Sequence, residues 1–131
     1  MANLLGQRWL YRIGNSIVCI DNAFAWTGWG QERMRVNDEV VQESRGWLKP
    51  SQTFAEPWLT RIGDDQLSIL LVSGVMSVHC MAELGGALLE PEERLAARWS
   101  GSRGSWPEES DWCPARRGDF IALPKAGGAK G

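Results

Sequence analysis

Residues 66–90, QLSILLVSGVMSVHCMAELGGALLE, carry the clearest structural pattern in the chain. The first part, 66–73, is apolar on both faces, which is typical of a central strand that is covered on both sides. From 75 to 84 apolar and polar residues alternate, which is typical of a strand with one buried face. Glycines at 74 and at 85–86 mark tight turns. The stretch therefore predicts consecutive antiparallel strands at 66–73, 75–84 and 87–90.

The alternation in 75–84 also assigns a face to each side chain. Its inward positions are Met76, Val78, Cys80, Ala82 and Leu84. His79 then lies on the solvent face, and Glu83 on that face is about 13 Å away at ~3.3 Å per residue. A general base needs its partners within hydrogen-bond reach. The strand therefore predicts an exposed histidine and a core cysteine, with no catalytic residue.

The N-terminal half shows the same period of two. In the candidate strand 8–13, Trp9, Tyr11 and Ile13 share one face, and the turn dipeptide Gly14-Asn15 leads into a second strand at 16–21. We therefore expect the chain to begin with a β-hairpin.

A second hairpin is predicted at 32–37 and 39–44, with Met34 and Val36 inward and Arg33 and Arg35 outward. A weaker candidate strand at 53–58 contains Pro57, which cannot donate a ladder hydrogen bond, so we expect this strand at a sheet edge. Arg33, Arg35, Arg45 and Arg61 could form a basic stripe. The interleaved acidic residues Glu32, Glu39 and Glu43 favour cross-strand ion pairs instead.

One short helix is expected near the end of the domain. The sequence PEERLAARW, 91–99, begins with a proline suited to the first helical position and with glutamates that favour the positive end of the helix dipole. Beyond it, residues 100–131 are rich in Gly, Ser, Pro and Arg. We expect an irregular tail that is either partly disordered or packed through Trp106, Trp112 and Phe120.

Together these elements predict an all-β fold, a single antiparallel β-sandwich of seven or eight short strands over residues 1–99, followed by the tail at 100–131. The chain has 131 residues and is 44% apolar, which suffices for one hydrophobic core.

Composition and charge exclude several classes of protein. No stretch approaches the ~18 apolar residues of a membrane helix, and the N-terminal residues lack the pattern of a secretory signal. A net charge of −2 argues against a nucleic-acid partner, because phosphate neutralisation needs a basic surface. Three cysteines without a CxxC pair, and one histidine, argue against a zinc site and fit a reducing, cytoplasmic setting. We expect no metal and no cofactor.

The order of these features resembles the β-sandwich repeat of Fas apoptotic inhibitory molecule. The matching residues are Trp9, Val36-Asn37-Asp38, Trp47, Ser73-Gly74 and Gly85-Gly86. The resemblance covers 8–90, about one repeat of a family whose members carry two, and Asp38 replaces the usual turn glycine. It implies a non-enzymatic interaction module and identifies no catalytic residue.

Eight tryptophans are the most unusual part of the composition. Trp9 and Trp47 are expected in the core. Trp26 and Trp29 lie in AWTGWG, 25–30, whose glycines permit unusual backbone angles. They form either a platform for a sugar, a peptide or a partner, or a plug over an open end of the sandwich. Trp58 could join either cluster, so Trp26, Trp29 and Trp58 are the candidate binding residues.

Two functions remain from different classes. The first is a non-catalytic interaction module that binds a protein partner or a second copy of itself through a sheet edge, a sheet face or the tryptophan loop. The alternative is a small-ligand module, of carbohydrate-binding type, that uses the loop tryptophans. Exposed coplanar rings beside polar groups would favour the sugar, and buried rings would favour the interaction module.

Overall fold

The computed structural model describes residues 2–25, 27–47, 57–73 and 78–115, which form antiparallel strands almost throughout. Within these ranges the strands are β1 (Ala2–Ile13), β2 (Ser16–Phe24), β3 (Trp29–Val36), β4 (Glu39–Trp47), β5 (Trp58–Ile62), β6 (Asp65–Ser73), β7 (Val78–Leu84), β8 (Ala87–Leu89), β9 (Glu93–Gly101) and β10 (Cys113–Pro114). A 3-10 turn at Glu109–Asp111 is the helical element of the described part. No helix of that part is long and apolar enough to cross a membrane.

The strands form two sheets. One has six strands in the order β10-β9-β1-β2-β3-β4, and the other has four in the order β5-β6-β7-β8. All their pairings are antiparallel. The predicted all-β, sandwich-like architecture is confirmed, with β6 internal and β5 and β8 at the edges. The edge strand near Pro57 begins at Trp58, and 51–56 lie outside the described residues.

The core lies between the two sheets. The six-stranded sheet contributes Trp9, Tyr11, Val18, Ile20 and Met34, and the four-stranded sheet contributes Trp58, Leu67, Ile69, Leu71 and Ala82. Val78, Cys80 and Leu84 pack against this cluster, while His79 is exposed. The faces assigned from the period of two in 75–84 are therefore right for the described residues; Met76 lies outside them.

The helix expected at 91–99 is wrong, because these residues form strand β9. β9 pairs with β1 from Leu10↔Glu93 to Ala2↔Gly101. The pairing supplies hydrogen bonds along β1 that a short helix would not provide. Helix-forming residue types set the local preference here, and pairing with β1 overrode it. β9 also continues past the expected domain end at residue 99.

The second face of the six-stranded sheet, turned away from the other sheet, is covered by residues 102–112, which we call the covering segment. Trp99 of β9 stacks with Trp106 and Trp112 of this segment, with ring centroids 6.2 Å apart in both pairs. The tail residues up to 115 thus pack through aromatic side chains. Residues 116–131, with Phe120, lie outside the described residues.

Gly6 on β1 provides the space for this packing. A Cβ atom at residue 6 would lie 2.7 Å from Cζ3 of Trp99 and 3.0 Å from Cη2 of Trp112. Both distances are below ordinary van der Waals contact, and the obstacles are rigid rings. The absence of a side chain at residue 6 is therefore what lets two tryptophans meet over the sheet.

We expect Gly6→Ala to lower the free energy of unfolding by about 2 kcal/mol, because overpacking forces the rings or the backbone to shift. Gly46→Ala on β4 is the matched control, since a Cβ there meets no atom within 4 Å. Urea unfolding of both variants measures the difference. Equal stability of the two variants would show that the stacking over Gly6 is not tight.

Candidate functional site

The tryptophans expected to bind a ligand lie in different environments. Trp58 is buried in the core at 8% exposure, so its ring packs between the sheets. Trp29 is half-buried at the start of β3, and Trp26 lies outside the described residues. Trp47, which was expected in the core, is instead 56% exposed at the end of edge strand β4. The structure therefore joins Trp29 with Trp47 and separates both from Trp58.

Trp29 and Trp47 face each other in the register of β3 and β4. Their ring centroids are 5.4 Å apart and the rings are inclined by 79°, an edge-to-face pair. The guanidinium of Arg103 in the covering segment lies 4.8 Å from the Trp47 ring centroid. This geometry gives one exposed ring, held in orientation by a perpendicular ring and by a cation.

Gln31 attaches the start of the covering segment to the sheet. Its Nε2 donates to the carbonyl of Ser105 at 2.6 Å, and its Oε1 accepts from the backbone N–H of Gly104 at 2.8 Å. The same Oε1 accepts from Nε1 of Trp29 at 2.7 Å. One buried amide therefore fixes both the segment and the orientation of Trp29.

A charged cluster occupies the middle of the second face, with Asp21 at its centre. The Asp21 side chain is fully buried, and its carboxylate accepts from Nε of Arg8 at 2.6 Å and from Nε of Arg33 at 2.7 Å. Nη2 of Arg35 is 3.5 Å from the same carboxylate. Register explains the grouping, because Arg8, Asp21 and Arg33 are direct cross-strand neighbours on β1, β2 and β3. Arg33 and Arg35 therefore do form ion pairs, but with Asp21 and Glu109; the expected pairs with Glu32, Glu39 and Glu43 do not occur among the described residues.

The covering segment completes this cluster. The Glu109 carboxylate accepts from Nη1 of Arg8 at 2.7 Å and from Nη2 at 3.2 Å, a bidentate pair. Hydrogen bonding to Arg8 holds the pKa of Glu109 below its ordinary value. The Trp112 ring lies over Arg8 at 4.3 Å, and the Trp106 ring lies over Arg33 at 4.4 Å. The segment thus supplies one carboxylate and two ring faces to the arginines.

The two sulfur atoms nearest these packed regions are poor nucleophiles. Burial raises the pKa of Cys19, next to Asp21, to about 12, and raises that of Cys80 in the core to about 11. The hydroxyl of Tyr11 donates to Sγ of Cys80 at 3.4 Å. A thiol with so high a pKa holds almost no thiolate at neutral pH. The roles of both side chains are packing and hydrogen bonding.

A row of polar side chains lies on the opposite face, the one turned toward the other sheet. Gln7, Asn22 and Glu32 are cross-strand neighbours on β1, β2 and β3. All three are buried, at 0%, 6% and 9% exposure. We call them the interior polar row. Burial raises the pKa of Glu32 to about 7, and a hydrogen bond from Asn22 opposes that shift.

The long edge of the six-stranded sheet is the third feature. Strand β4 has nine residues, nearly all of them exposed, and pairs with β3 on one side. Val40 and Val41 are 46% and 44% exposed, and Trp47 ends the strand. A bulge at Met34/Arg35 interrupts the register opposite Val40 and Val41. β4 therefore presents apolar side chains beside a backbone edge with which no other described strand pairs.

The sequence analysis predicted neither the charged cluster nor the interior polar row. For the interior polar row, however, the alternation of residues contained a usable signal. Gln7, Asn22 and Glu32 share a face with Trp9, Ile20 and Met34 respectively. A polar residue in phase with inward apolar residues marks a buried polar group. The contribution of Glu109 had no local signal, because it lies 101 residues from Arg8.

We expect Asp21→Asn to destabilise the fold by about 3 kcal/mol, because it leaves buried guanidinium groups without their carboxylate. Glu92→Gln is the control. Glu92 pairs with Arg12 at 3.2 Å, but both side chains are about half exposed, so its loss costs less than about 1 kcal/mol. Chemical unfolding of both variants at neutral pH gives the two values. Similar small losses would mean that the cluster adds nothing to stability.

The buried carboxyl of Glu32 predicts a pH dependence. Its pKa is near 4.5 when unfolded and about 7 when folded, so the folded chain binds the extra proton between these values. Stability is then fully present below pH 4.5 and falls by about 3 kcal/mol as the pH rises through 7. Glu32→Gln should remove this fall. Unfolding midpoints from pH 4.5 to 8 test it, and parallel curves for the two proteins would contradict it.

Comparison with known proteins does not assign the chain to a family. No protein-family model matches the chain, and neither the curated proteins nor the solved structures compared with it give a match. The resemblance to Fas apoptotic inhibitory molecule therefore stays a prediction. Since a fold by itself does not determine a function, the function has to be argued from the chain's own surfaces and side chains.

Proposed function

We propose that this chain is a non-catalytic interaction module that associates with a second copy of itself through edge strand β4. The observation that carries the proposal is the exposure of Val40, Val41 and Trp47 along a nine-residue strand whose outer edge pairs with no other described strand. An edge of this length is a template for another strand, and proteins usually shorten or cover such edges. The other edges in the described part are shorter: β5 has five residues, β8 three and β10 two.

The sequence of β4 fits an antiparallel copy of itself. Pairing about a twofold axis at Ser44 brings Glu43 of each copy opposite Arg45 of the other, so opposite charges meet twice. Glu43 and Arg45 share the second face, since they pair with Arg33 and Gln31 of β3. The same register sets the exposed ring of Trp47 opposite Val41, which covers apolar surface on both copies. This register contains no pair of like charges.

The relative orientation of the Trp29 and Trp47 rings favours a protein-binding surface over a carbohydrate-binding platform. Sugar rings stack on flat aromatic faces, whereas Trp29 and Trp47 are nearly perpendicular, with an interplanar angle of 79°. A single exposed indole next to Arg103 is typical of an interface anchor. The resemblance to Fas apoptotic inhibitory molecule implies an interaction module too, and we propose a relationship of that kind.

Charge reversal at the two paired positions tests the register. Arg45→Glu alone sets Glu43 opposite a glutamate, and Glu43→Arg alone sets Arg45 opposite an arginine. We expect each single variant to self-associate at least tenfold more weakly than the native chain, because like charges then face each other. A mixture of the two variants restores opposite charges at both positions, so the mixture should form a heterodimer. Sedimentation equilibrium of each variant and of the mixture measures this.

Leu88→Lys is the control, because Leu88 is an exposed apolar residue on β8, at the edge of the other sheet. It should dimerise as the native chain does. A native chain that stays monomeric at high micromolar concentration contradicts the proposal. So does a mixture in which the two charge-reversed variants fail to associate, since both keep the native face of β4 apart from one exposed charge.

A further inference from the structure

The interior polar row lies next to the apolar core and forms a separate polar layer. Gln7, Asn22 and Glu32 stand side by side on three adjacent strands, about 4.8 Å apart. The next inward positions along the same strands are Trp9, Ile20 and Met34, which are fully or almost fully buried. A complete layer of the interior is therefore polar across β1, β2 and β3.

Hydrogen bonding inside this row is incomplete. Nδ2 of Asn22 donates to Oε2 of Glu32 at 3.2 Å. Nε2 and Oε1 of Gln7 and Oδ1 of Asn22 are buried and have no partner in the described part of the chain. Each such group costs about 1–3 kcal/mol when it stays unpaired. Three of them on one row leave hydrogen-bonding capacity that a bound molecule can satisfy.

The unpaired atoms, together with the Glu32 carboxylate, define the chemistry of such a molecule. Oε1 of Gln7, Oδ1 of Asn22 and the Glu32 carboxylate are three acceptors, and an ammonium group has three N–H donors and no acceptor. Nε2 of Gln7 is a donor that an ammonium cannot satisfy, so it requires an oxygen on the same molecule. An amino alcohol meets both requirements, with its ammonium at the acceptors and its hydroxyl at Gln7.

The charge of the site leads to the same ligand. Glu32 makes no ion pair with a described residue, and the described inward positions of the four-stranded sheet carry Cys80 and, at an exposed strand end, Asp65, neither of which is a cation. Arg94 and Arg98 share the face of the row but lie beyond β1 on β9, both exposed. No described residue therefore supplies Glu32 with a cation inside the sandwich, so a cationic ligand fits the site.

We propose that Gln7, Asn22 and Glu32 form a binding site for a small primary amine that carries a hydroxyl group. The proposal is independent of the pairing of β4, because the row faces the interior and the pairing surface faces solvent. Water is the competing occupant, since buried waters often satisfy such groups. Water and an amine differ in charge, and this difference gives the test its readout.

Ethanolamine is the probe, titrated calorimetrically into the full chain at pH 8, where the carboxyl of Glu32 is ionised. Two reference compounds accompany it: tetramethylammonium has the charge without an N–H donor, and ethylene glycol has the hydroxyl without the charge. We expect ethanolamine to bind and to raise the melting temperature, and both references to bind at least tenfold more weakly. At pH 5 the affinity for ethanolamine should fall at least tenfold, because the carboxyl is then protonated.

Glu32→Gln keeps the shape and the hydrogen bond to Asn22 but removes the charge, so it should lose at least tenfold in affinity. Gln7→Met removes the other end of the site and gives a second variant if the first does not fold. Glu83→Gln on the solvent face of β7 is the matched control and should bind as the native chain does. Absence of ethanolamine binding, equal binding of tetramethylammonium, or undiminished binding by the folded site variants would overturn the proposal and leave water as the occupant.

Discussion

The buried carboxylate of Asp21 is the constraint on which the second face of the six-stranded sheet depends. Strand β2 is covered on both sides, and neither Ile20 nor Asp21 is accessible to solvent. A charge in that position cannot be solvated by water, so it has to be matched by protein groups. Arg8 and Arg33 match it directly, because they are its cross-strand neighbours.

This constraint determines what the covering segment has to contain. Three guanidinium groups lie near two carboxylates, so the cluster keeps a positive charge after Glu109 has joined it. An apolar cover would leave that charge poorly compensated, whereas aromatic faces attract cations. Trp106 and Trp112 cover Arg33 and Arg8 in this way. The composition of the segment follows from the charges beneath it, and so does the need for glycine at residue 6.

Much of the fold could be predicted from local patterns, because alternation and turn residues are local. Asn37-Asp38 forms the expected turn with positive φ at both residues, and Asn37 Oδ1 accepts from the backbone N–H of Ile17. What failed depends on distant partners. The segment 91–99 has residue types that favour a helix locally, but residues 93–99 lie in β9, where they pair with the distant strand β1. Trp47 was expected in the core, but its burial depends on what lies beyond β4, and β4 is the last strand of the described sheet.

The candidate sites were harder to predict than the fold, for the same physical reason. The charged cluster joins residues from β1, β2, β3 and the covering segment, which only the strand register brings together. The interior polar row was visible as polar residues in phase with core residues, but alternation cannot reveal whether their atoms find partners. For Trp29 the sequence left a binding platform and a plug open, and the structure shows it half-buried; Trp58 lies in the core, at the start of β5.

The position of β3 explains how the proposed interior site and the proposed interaction edge are kept separate in one small structure. Glu32 of β3 pairs with Ser44 of β4, so the two features are adjacent along the sheet. Their side chains nevertheless leave the sheet on different sides: Glu32 points between the sheets, while Glu43, Arg45 and Trp47 lie on the second face. A charge placed on the second face of β4 is therefore separated from the interior row by the sheet backbone. The interior polar row and edge strand β4 are connected through the backbone of β3. The hydrogen-bonded ladders with β2 and with β4 hold this backbone in register.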